Sequence, residues 1–496
     1  MSITREQIVD QVSNIVGPEK VITDEQVLRE NSHDRYRKYE TIMGIYELPL
    51  PAAVVKVQNS DQVSQLLAFC NEHKINCVPR TGGSATEGGL ETIVENSIVI
   101  DGSEMNRIVA ISETDMIATA ECGVPLQVLE DEVRKLGLTT GHSPQSKPIA
   151  HMGGLVATRS IGQFSTLYGG IEDMVVGLEA VFPNGHKAKI KNVPRRACGP
   201  DIRHIITGNE GALCFITEVS VKLFKYTPQY NQFRAYRLDS MKTGFEILRE
   251  VMVNGYHPSI ARLYDAEDGS QHGFDQFAPD QCVLIFMAEG NKLLADATVA
   301  GIDELLLPYA DECTPVDGKI IEAWFNQLNW GPEKLEEERK HILANHHMGF
   351  TTEVSGNWSC IYDIYVNALE RIRREYPHMD DITMLGGHSS HSYLTGTNVY
   401  FVYDYSVQAC GPEAERMTYH HAIHTIIIEE TLKAGGSVGH HHGLGKYRTQ
   451  WTQEEHGTGA YYMLEGLKKQ FDPNGIMNFG TIFPVPNYPV KSETAK

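Results

Sequence analysis

The sequence predicts an α+β fold with at least two domains, and three observations lead to this prediction. The chain has 496 residues, which is more than a single hydrophobic core usually supports. Short strand patterns alternate with helical patterns in the first half, beginning with a strand at 52–57 and a helix at 60–73. Longer helical patterns, separated by irregular segments, begin beyond Lys225.

The remaining predicted elements follow from apolar spacing and from flanking Gly and Pro residues. The Asn-Gly pair in Pro183-Asn-Gly-His lies between two strand patterns and indicates a β-hairpin. In chain order, we expect strands at 97–101, 116–122, 174–183, 187–191 and 215–224, and helices at 125–138, 240–254, 292–309, 360–376 and 459–471.

The change of pattern near residue 225 predicts a domain boundary. We expect a first domain at 1–225, a second domain at 226–445 that holds the substrate, and a C-terminal segment at 446–496 that returns to the first domain. The helix predicted at 459–471 is followed by Asp472-Pro-Asn-Gly475, a sequence that ends helices. This pattern is typical of a C-terminal segment that packs against an earlier domain.

The composition narrows the classes of partner. The chain carries 64 acidic and 43 basic side chains, a net charge of −21, which disfavours nucleic acid and anionic membrane surfaces. It contains no apolar run long enough for a membrane span, and its N-terminus has the pattern of an amphipathic helix, unlike a signal peptide. Nine scattered cysteines without a C-x-x-C pair are typical of reduced thiols. We therefore expect a cytoplasmic protein that acts on a small molecule.

A series of glycine-rich loops predicts a nucleotide cofactor. The densest loop is Pro79-Arg-Thr-Gly-Gly-Ser-Ala-Thr-Glu-Gly-Gly89, and it is followed by Gly141-His-Ser-Pro-Gln-Ser146, Met152-Gly-Gly-Leu155 and Gly208-Asn-Glu-Gly211. Glycine lets backbone N–H groups approach a pyrophosphate, although a single loop of this kind is more often a plain tight turn. No dinucleotide fingerprint of the G-x-G-x-x-G type and no P-loop are present, so another cofactor scheme is indicated.

Several motifs resemble the vanillyl-alcohol-oxidase and p-cresol-methylhydroxylase superfamily of FAD enzymes, and within it the alkyl-dihydroxyacetonephosphate synthase family. They are Thr158-Arg-Ser-Ile-Gly162, Tyr168-Gly-Gly-Ile-Glu-Asp-Met-Val-Val176, Gly199-Pro-Asp-Ile-Arg203, Gly208-Asn-Glu-Gly211 and Gly439-His-His-His-Gly-Leu-Gly-Lys446. The resemblance implies a bipartite FAD-binding domain of the p-cresol-methylhydroxylase type. It also implies an inserted cap domain, built on an antiparallel sheet flanked by helices, with the flavin ring between the two.

The same resemblance assigns the cofactor residues. It implies that FAD is held by Pro79, Arg80, Thr81, Gly82, Gly83, Ser84, Ala85, Pro144, Gln145, Ser146, Gly153, Gly154, Thr158, Ser160, Glu210, Gly211 and Ile216. Many members attach the flavin to a histidine of the first loop, but Thr81-Gly-Gly-Ser-Ala85 contains none. We therefore expect non-covalent FAD.

Three consecutive histidines, His440, His441 and His442, are the first catalytic candidates. On an extended backbone His440 and His442 would share a face, with His441 on the opposite one. Neighbouring imidazoles do not all protonate readily, so their pKa values should differ. One imidazole should then have a pKa near neutral pH and act as a base. Such a base would remove a hydroxyl proton from a substrate. The alternative is a surface cluster without a function.

Four further residues complete the catalytic candidates. Tyr400 matches a tyrosine that the synthase family keeps at its active site, and Arg339 and Arg262 match two of its arginines. Either arginine would clamp a carboxylate or phosphate, but Arg339 also fits a solvated helical face. His391 begins the segment His391-Ser-Tyr-Leu-Thr-Gly396, which departs from the synthase pattern and indicates a changed substrate pocket.

A metal ion is a secondary alternative. Related 2-hydroxyacid dehydrogenases carry zinc on histidines near this place, and His388, His391 and the histidine triplet are possible ligands here. Tyr400 stands near the position of their second histidine, so we expect no metal. His420, His421 and His424 are predicted to be helix-face residues.

Two reactions remain open. The first is oxidation of a small hydroxylated substrate, such as a 2-hydroxy acid, alcohol or phenol, with hydride transfer to flavin N5. The second is a non-redox exchange of acyl for alkyl in ether-lipid synthesis, as in the synthase family. A flavin-storing protein without catalysis is the third and weakest reading. We expect the chain to form a homo-oligomer, specifically a homodimer.

The sequence ends in Ser492-Glu-Thr-Ala-Lys496, which is not a peroxisomal signal. This ending favours a cytoplasmic location.

Overall fold

The computed structural model describes residues 3–326, 328 and 331–485 of the chain. The predictions made on Met1, Ser2 and the terminal Ser492–Lys496 lie outside these residues. The described chain mixes helices and strands, which confirms the predicted α+β class. None of its helices combines the length and the apolar character that crossing a bilayer requires.

The first sheet has four strands in the order β1-β2-β4-β3. Strands β2 and β3 both pair with β4 in parallel, as expected when helices connect neighbouring strands. The strands are β1 (Val21–Ile22), β2 (Ala53–Lys56), β3 (Cys77–Arg80) and β4 (Ile98–Asp101), and the helices are α1 (Arg5–Val16), α2 (Glu25–Glu30), α3 (Lys38–Ile42) and α4 (Ser60–His73).

The second sheet has five antiparallel strands in the order β5-β6-β10-β8-β9. The predicted hairpin is confirmed as β8 and β9, whereas the helix predicted at 125–138 ends earlier because Leu138 and Thr139 pair with Phe224 and Lys225. The elements are β5 (Ile108–Ser112), β6 (Ile117–Glu121), α5 (Leu126–Arg134), β7 (Leu138–Thr139), α6 (Met152–Ala157), α7 (Ser165–Tyr168), α8 (Ile171–Met174), β8 (Val175–Val181), β9 (Lys187–Ile190), α9 (Arg203–Ile206), β10 (Phe215–Lys222) and β11 (Phe224–Lys225).

The third sheet has seven strands, all from the middle of the chain, in the order β15-β12-β14-β13-β17-β18-β16. Every pairing in it is antiparallel. Its strands are β12 (Gln232–Leu238), β13 (Ile260–Tyr264), β14 (Cys282–Ala288), β15 (Cys313–Val316), β16 (His347–Asn357), β17 (Ile382–Ser389) and β18 (Gly396–Ser406). The helices from this point on are α10 (Met241–Val253), α11 (Ala266–Gln271), α12 (Lys292–Leu305), α13 (Gly318–Phe325), α14 (Pro332–Asn345), α15 (Ile361–Glu375), α16 (Ala422–Lys433) and α17 (Thr452–Phe471).

The two faces of the third sheet have different surroundings. On one face Leu263, Val354 and Phe401 join a single hydrophobic core with residues of α10, α15 and α16. Side chains alternate along a strand, so the neighbouring residues Arg262 and Tyr400 point to the other face, which lines a cavity. Helix packing on the apolar face therefore determines which side chains face the cavity.

The C-terminal segment returns to the first sheet. The Cys77 N–H donates to the Ile476 carbonyl at 2.7 Å, and the Asn478 N–H donates to the Cys77 carbonyl at 2.8 Å. Lys446 is fully buried at this junction, and its ammonium donates to the Asn478 and Thr481 side chains at 2.6 and 2.9 Å. Burial lowers the pKa of Lys446 to about 8.

The segment around α3 packs against the middle of the chain, a contact that sequence reasoning missed. Arg416 Nε donates to Glu40 at 3.1 Å, and Lys38 Nζ donates to Glu338 at 2.7 Å. Residues far apart in sequence thus form one buried and one partly buried ion pair between the segment around α3 and the middle of the chain.

Replacing Lys446 by Met should lower the free energy of unfolding by about 2–4 kcal/mol, because Asn478 and Thr481 would lose their buried donor. Thermal and urea unfolding of the FAD-loaded protein measure this change. Lys469→Met removes an exposed lysine near the same junction and should have little effect. Equal stability of the two variants would contradict the importance of this contact.

Candidate active site

One cavity of about 520 Å³ lies between the glycine-rich loops and the third sheet. All the residues predicted to hold the cofactor line it, from Pro79 through Ile216. Of the catalytic candidates, Arg262, His391, Tyr400, His441 and His442 line it as well. The structure therefore brings loops that are far apart in sequence to a single site.

The first glycine loop has the properties of a phosphate cradle. Within the described ranges, no protein acceptor is hydrogen-bonded to the backbone N–H groups of Thr81 through Ala85. Gly83 has a φ of +71°, a conformation that favours glycine. A Cβ at Gly154 would meet only the Thr81 hydroxyl, at 3.2 Å, so a larger residue there would reach into the cavity. A run of unpaired donors beside open space suits a pyrophosphate, and these residues fit FAD.

Strand register places a row of functional side chains across the sheet. Tyr264 pairs with His388, His388 pairs with Tyr400, and Tyr400 pairs with Glu353. Directly paired residues share a face. The rings of Tyr264 and His388 stack at 4.7 Å between centroids, and those of His388 and Tyr400 at 5.0 Å.

Glu353 organises the histidine triplet. Its Oε1 accepts the backbone N–H groups of His440, His441 and His442 at 3.2, 3.0 and 2.8 Å. The three residues therefore wrap around one carboxylate, and the extended backbone that we expected for them is wrong. His441 stacks on Tyr400 at 5.6 Å, and His442 meets the same ring edge-on.

A buried ion network joins three segments of the chain behind this loop. Arg448, which is fully buried, donates to Glu353 at 2.5 Å and to Glu87 at 3.0 Å. His442 Nδ1 lies 3.1 Å from Glu353 and 3.2 Å from Glu87. Burial alone would raise the pKa of Glu353, but Arg448 and His442 hold it well below its usual range. Two carboxylates and two cations thus balance one another.

The three imidazoles differ in charge. Burial lowers the pKa of His440 to about 4, and burial together with His442 lowers the pKa of His441 well below its usual value. Burial would also lower the pKa of His442, but Glu353 outweighs it and holds the value well above normal. At neutral pH His442 is an imidazolium, and its two neighbours are neutral.

The Tyr400 hydroxyl lies between two donors. His442 Nε2 is 3.2 Å from the Tyr400 oxygen, and the Thr351 hydroxyl donates to that oxygen at 3.1 Å. Because both lone pairs accept hydrogen bonds from the protein, the hydroxyl proton of Tyr400 is left for a ligand in the cavity.

His388 has a buried carboxylate behind it. Its Nδ1 lies 2.5 Å from Oδ2 of Asp268, which is 3% exposed on its side chain. An ionised Asp268 accepts the Nδ1 proton, so Nε2 is left as the basic nitrogen toward the cavity. Sequence reasoning missed Asp268, Glu353, Glu87 and Arg448. The acidic run Asp265-Ala-Glu-Asp268, at the end of the strand that carries Arg262, was the available signal.

Arg262 is a buried cation that faces the cavity. It is 3% exposed, and its Nη1 donates to the Tyr264 hydroxyl. Among the residues that the structure describes, no carboxylate lies within ion-pair distance of it, and its Nε has no hydrogen-bond partner. A buried guanidinium without an anion is suited to binding an anionic ligand.

Arg339 lies elsewhere. It is on α14, its side chain is 52% exposed, and it lies 3.7 Å from Glu336. It does not line the cavity, whereas Leu335 and Glu338 of the same helix do. The geometry therefore favours Arg262 as the anion-binding arginine, and the role assigned to Arg339 stays a prediction. His420 and His424 are buried helix-face residues, and His420 reaches the cavity.

The ring nitrogens of His391, His440 and His441 lie within 4.8 Å of one another. The Ser165 hydroxyl is 2.7 Å from His391 Nδ1, and the Tyr393 hydroxyl is 2.7 Å from His440 Nε2. Three imidazoles at this spacing have the form of a metal triad. The expectation of a metal-free site therefore stays a prediction.

Two family models match the chain. The FAD binding domain model covers residues 51–191, and the model of the C-terminal domain of FAD linked oxidases covers residues 227–482. The second match includes the third sheet and the histidine triplet.

Curated relatives agree with these matches. The uncharacterized FAD-linked oxidoreductase YgcU of Escherichia coli strain K12 is 66% identical over 485 residues, which are 98% of this chain and 100% of the relative. Alkyldihydroxyacetonephosphate synthase of Caenorhabditis elegans is 28% identical over 86% of this chain and 75% of its own length. The mitochondrial cytochrome-type D-lactate dehydrogenase of Arabidopsis thaliana is 28% identical over 88% of this chain and 74% of its own length.

Solved structures share the fold. An alkyldihydroxyacetonephosphate synthase structure matches with a TM-score of 0.75 at 20% identity, over 96% of this chain and 85% of its own. A structure of p-cresol methylhydroxylase with bound substrate matches with a TM-score of 0.74 at 18% identity, over 97% of each chain. Together with the cradle and the family matches, these findings show that the chain is a flavoenzyme of the vanillyl-alcohol-oxidase and p-cresol-methylhydroxylase superfamily and belongs to the FAD-linked oxidoreductases.

Proposed function

We propose that this protein oxidises a small 2-hydroxy acid to the corresponding keto acid. The observation that carries the proposal is the pairing of an anion site with a base in one cavity. Arg262 supplies a buried cation without a carboxylate partner among the described residues, and His388 supplies a basic nitrogen backed by Asp268. A substrate with a carboxylate beside a hydroxyl group uses both.

FAD, when bound, supplies the acceptor for the hydride equivalent that leaves the substrate carbon, which the resemblance places at flavin N5. The chain holds it through the unpaired N–H groups of Thr81–Ala85 and through the loops at 144–146 and 153–160. Because that first loop offers no histidine, cysteine or tyrosine side chain, we propose that the cofactor is bound without a covalent link.

Arg262 binds the substrate carboxylate. A guanidinium presents paired N–H donors that match a carboxylate, and its burial strengthens the interaction. Burial lowers the pKa of His391, and His440, His441 and Arg262 lower it further. His391 is therefore neutral, and Arg262 is the cation that binds the carboxylate. The carboxylate fixes the substrate, and its hydroxyl group is then oriented toward the row of rings on the sheet.

His388 accepts the hydroxyl proton through Nε2. Asp268 stabilises the imidazolium that forms, as expected for a carboxylate hydrogen-bonded to the opposite ring nitrogen. Tyr400, held by His442 and Thr351, donates a hydrogen bond to the substrate oxygen and keeps that oxygen in position. The hydroxyl proton therefore leaves to His388 while the carbon becomes a carbonyl.

Exchange of acyl for alkyl, as in the synthase family, is the second candidate. The histidine triplet, Tyr400 and the 28% identity to a synthase favour it. An alkyl chain requires an apolar channel, but Lys38, Glu338 and Asp404 bring charge to the wall of this cavity. The similarity to a D-lactate dehydrogenase of Arabidopsis thaliana favours oxidation of a hydroxy acid. We also propose a cytoplasmic homodimer, from the acidic composition and the superfamily resemblance.

The proposed reaction is tested by mixing the FAD-loaded protein anaerobically with 2-hydroxy acids, aryl alcohols and an acyl ketone phosphate. We expect a 2-hydroxy acid to bleach the visible flavin band, and Arg262→Met to raise its dissociation constant by about 10- to 100-fold, because a charged hydrogen bond is lost. Arg249→Met, an exposed change, serves as the control. Bleaching by the ketone phosphate alone, with alkyl ether formed on adding an alcohol, would establish the synthase reaction instead.

Asp268→Asn should slow flavin reduction about 100-fold or more, because Asn does not stabilise the imidazolium of His388. The dissociation constant of the substrate should change little, since Arg262 still binds the carboxylate. Stopped-flow reduction separates the two quantities. Asp275→Asn, an exposed change nearby, should leave both unaltered. A normal reduction rate in Asp268→Asn would rule out His388 as the base.

Acid precipitation of the purified protein should leave all the flavin in the supernatant, because the cradle offers no side chain for a covalent bond at Thr81–Ala85. Absorbance of the supernatant at the flavin band measures the released fraction. A yellow pellet after exhaustive washing would contradict non-covalent binding.

A further inference from the structure

The cavity has a second, charged end. Arg35, Lys38, Glu338 and Asp404 line it together with the flavin loops and Tyr400. Tyr400, Val402 and Asp404 lie on one face of β18 because side chains alternate along a strand. Four residues of strand separate Tyr400 from Asp404 by about 13 Å. The proposed reaction uses only the Tyr400 end.

Asp404 is a carboxylate that lacks a protein donor. It pairs across the sheet with Gly349, and a Cβ at Gly349 would lie 2.5 Å from its Oδ1, so glycine makes room for the carboxylate. Within the described part of the chain, no group hydrogen-bonds to it or lies within ion-pair distance. Burial raises the pKa of Asp404 to about 6, although Lys38 acts in the opposite direction. At neutral pH this acceptor is largely ionised and faces the cavity.

Lys38, Arg35 and Glu338 line the same end of the cavity as Asp404. Lys38 Nζ donates to Glu338 at 2.7 Å and to the Gly349 carbonyl at 3.1 Å. Arg35 Nη2 donates to Glu338 at 2.8 Å. Burial alone would raise the pKa of Glu338, but Lys38 and Arg35 lower it, so this carboxylate is ionised. Hydrogen-bond donors and acceptors therefore both line this end of the cavity.

The charges at this end cancel. Arg35 and Lys38 are cations, and Glu338 and Asp404 are anions. A second charged group on the ligand would gain little binding energy from two cations and two anions whose charges sum to zero. An alkyl tail would leave Asp404 desolvated without a hydrogen-bond donor. Neutral hydroxyl groups, which both donate and accept, satisfy such a lining.

We propose that the charged end formed by Arg35, Lys38, Glu338 and Asp404 binds the hydroxylated tail of the substrate, which makes the substrate a polyhydroxylated 2-hydroxy acid of the sugar-acid class. This inference rests on the proposed function for the identity of the reacting end. Asp404 is the specificity-determining residue, because it accepts hydrogen bonds from the tail hydroxyl groups. A site built to bind a hydroxyl group discriminates strongly against analogues that lack it.

The test compares D-gluconate with lactate on the FAD-loaded protein under anaerobic conditions, with both enantiomers of lactate. We expect gluconate to bind at least tenfold more tightly than lactate. Asp404→Ala should reduce that preference about tenfold or more, and Asp404→Asn, which keeps one carbonyl acceptor, should reduce it less. Asp380→Ala, an exposed change, should leave the preference unaltered. FAD content and thermal unfolding show whether each variant is folded.

A binding measurement separates this inference from the proposed function. 2-Deoxy-D-gluconate keeps the hydroxylated tail but lacks the hydroxyl group to be oxidised, and propanoate is its short counterpart. Calorimetry should show tighter binding of 2-deoxy-D-gluconate, with the difference reduced in Asp404→Ala. If this holds while no hydroxy acid bleaches the flavin, the tail site stands and the proposed reaction fails. If lactate bleaches the flavin but neither tail-bearing acid binds more tightly, the tail site is wrong and the reaction stands.

Discussion

The buried contact between Glu353 and Arg448 is the interaction on which the site depends. Glu353 accepts three N–H groups from the histidine triplet, and Arg448 connects it to Glu87 in the first glycine loop. One carboxylate thus ties the third sheet to the flavin loops and to the C-terminal return. A buried ion pair adds little stability over apolar packing, but loss of one partner leaves a charge uncompensated. The network therefore determines the geometry of the site more than its stability.

Strand register is the second constraint. Phe401 and Val354 pack into the helices, and this packing sends their neighbours Tyr400 and Glu353 to the other face of the sheet, where Tyr400 lines the cavity. A slip of one residue would exchange the two faces. The apolar core thus specifies which side chains line the cavity, although its own residues lie on the opposite face of the sheet.

Local charge and net charge differ in this molecule. The chain carries a charge of −21, but Arg262 and the imidazolium of His442 are buried in or beside the cavity. Neutral His440 and His441 add no charge because burial lowers each pKa. The acidic surface therefore does not oppose an anionic ligand inside, where the field of nearby groups dominates over screened surface charges.

The sequence by itself determined the local features: the glycine loops of the cradle, the helix at 60–73, the hairpin near Asn184, and the candidates Arg262, Tyr400 and His442. The loops, the helix and the hairpin each have a signal within a few residues of chain, whereas Arg262 and Tyr400 were identified through the family resemblance. Only the tertiary structure showed Asp268 behind His388, Glu353 at the centre of the histidine triplet, and Arg448 between Glu353 and Glu87. The prediction of an extended backbone for the triplet was wrong because three of its N–H groups bind the distant Glu353 carboxylate. These partners are 87 to 361 residues apart in sequence, and no local sequence pattern indicates which distant charged residues a fold buries next to each other.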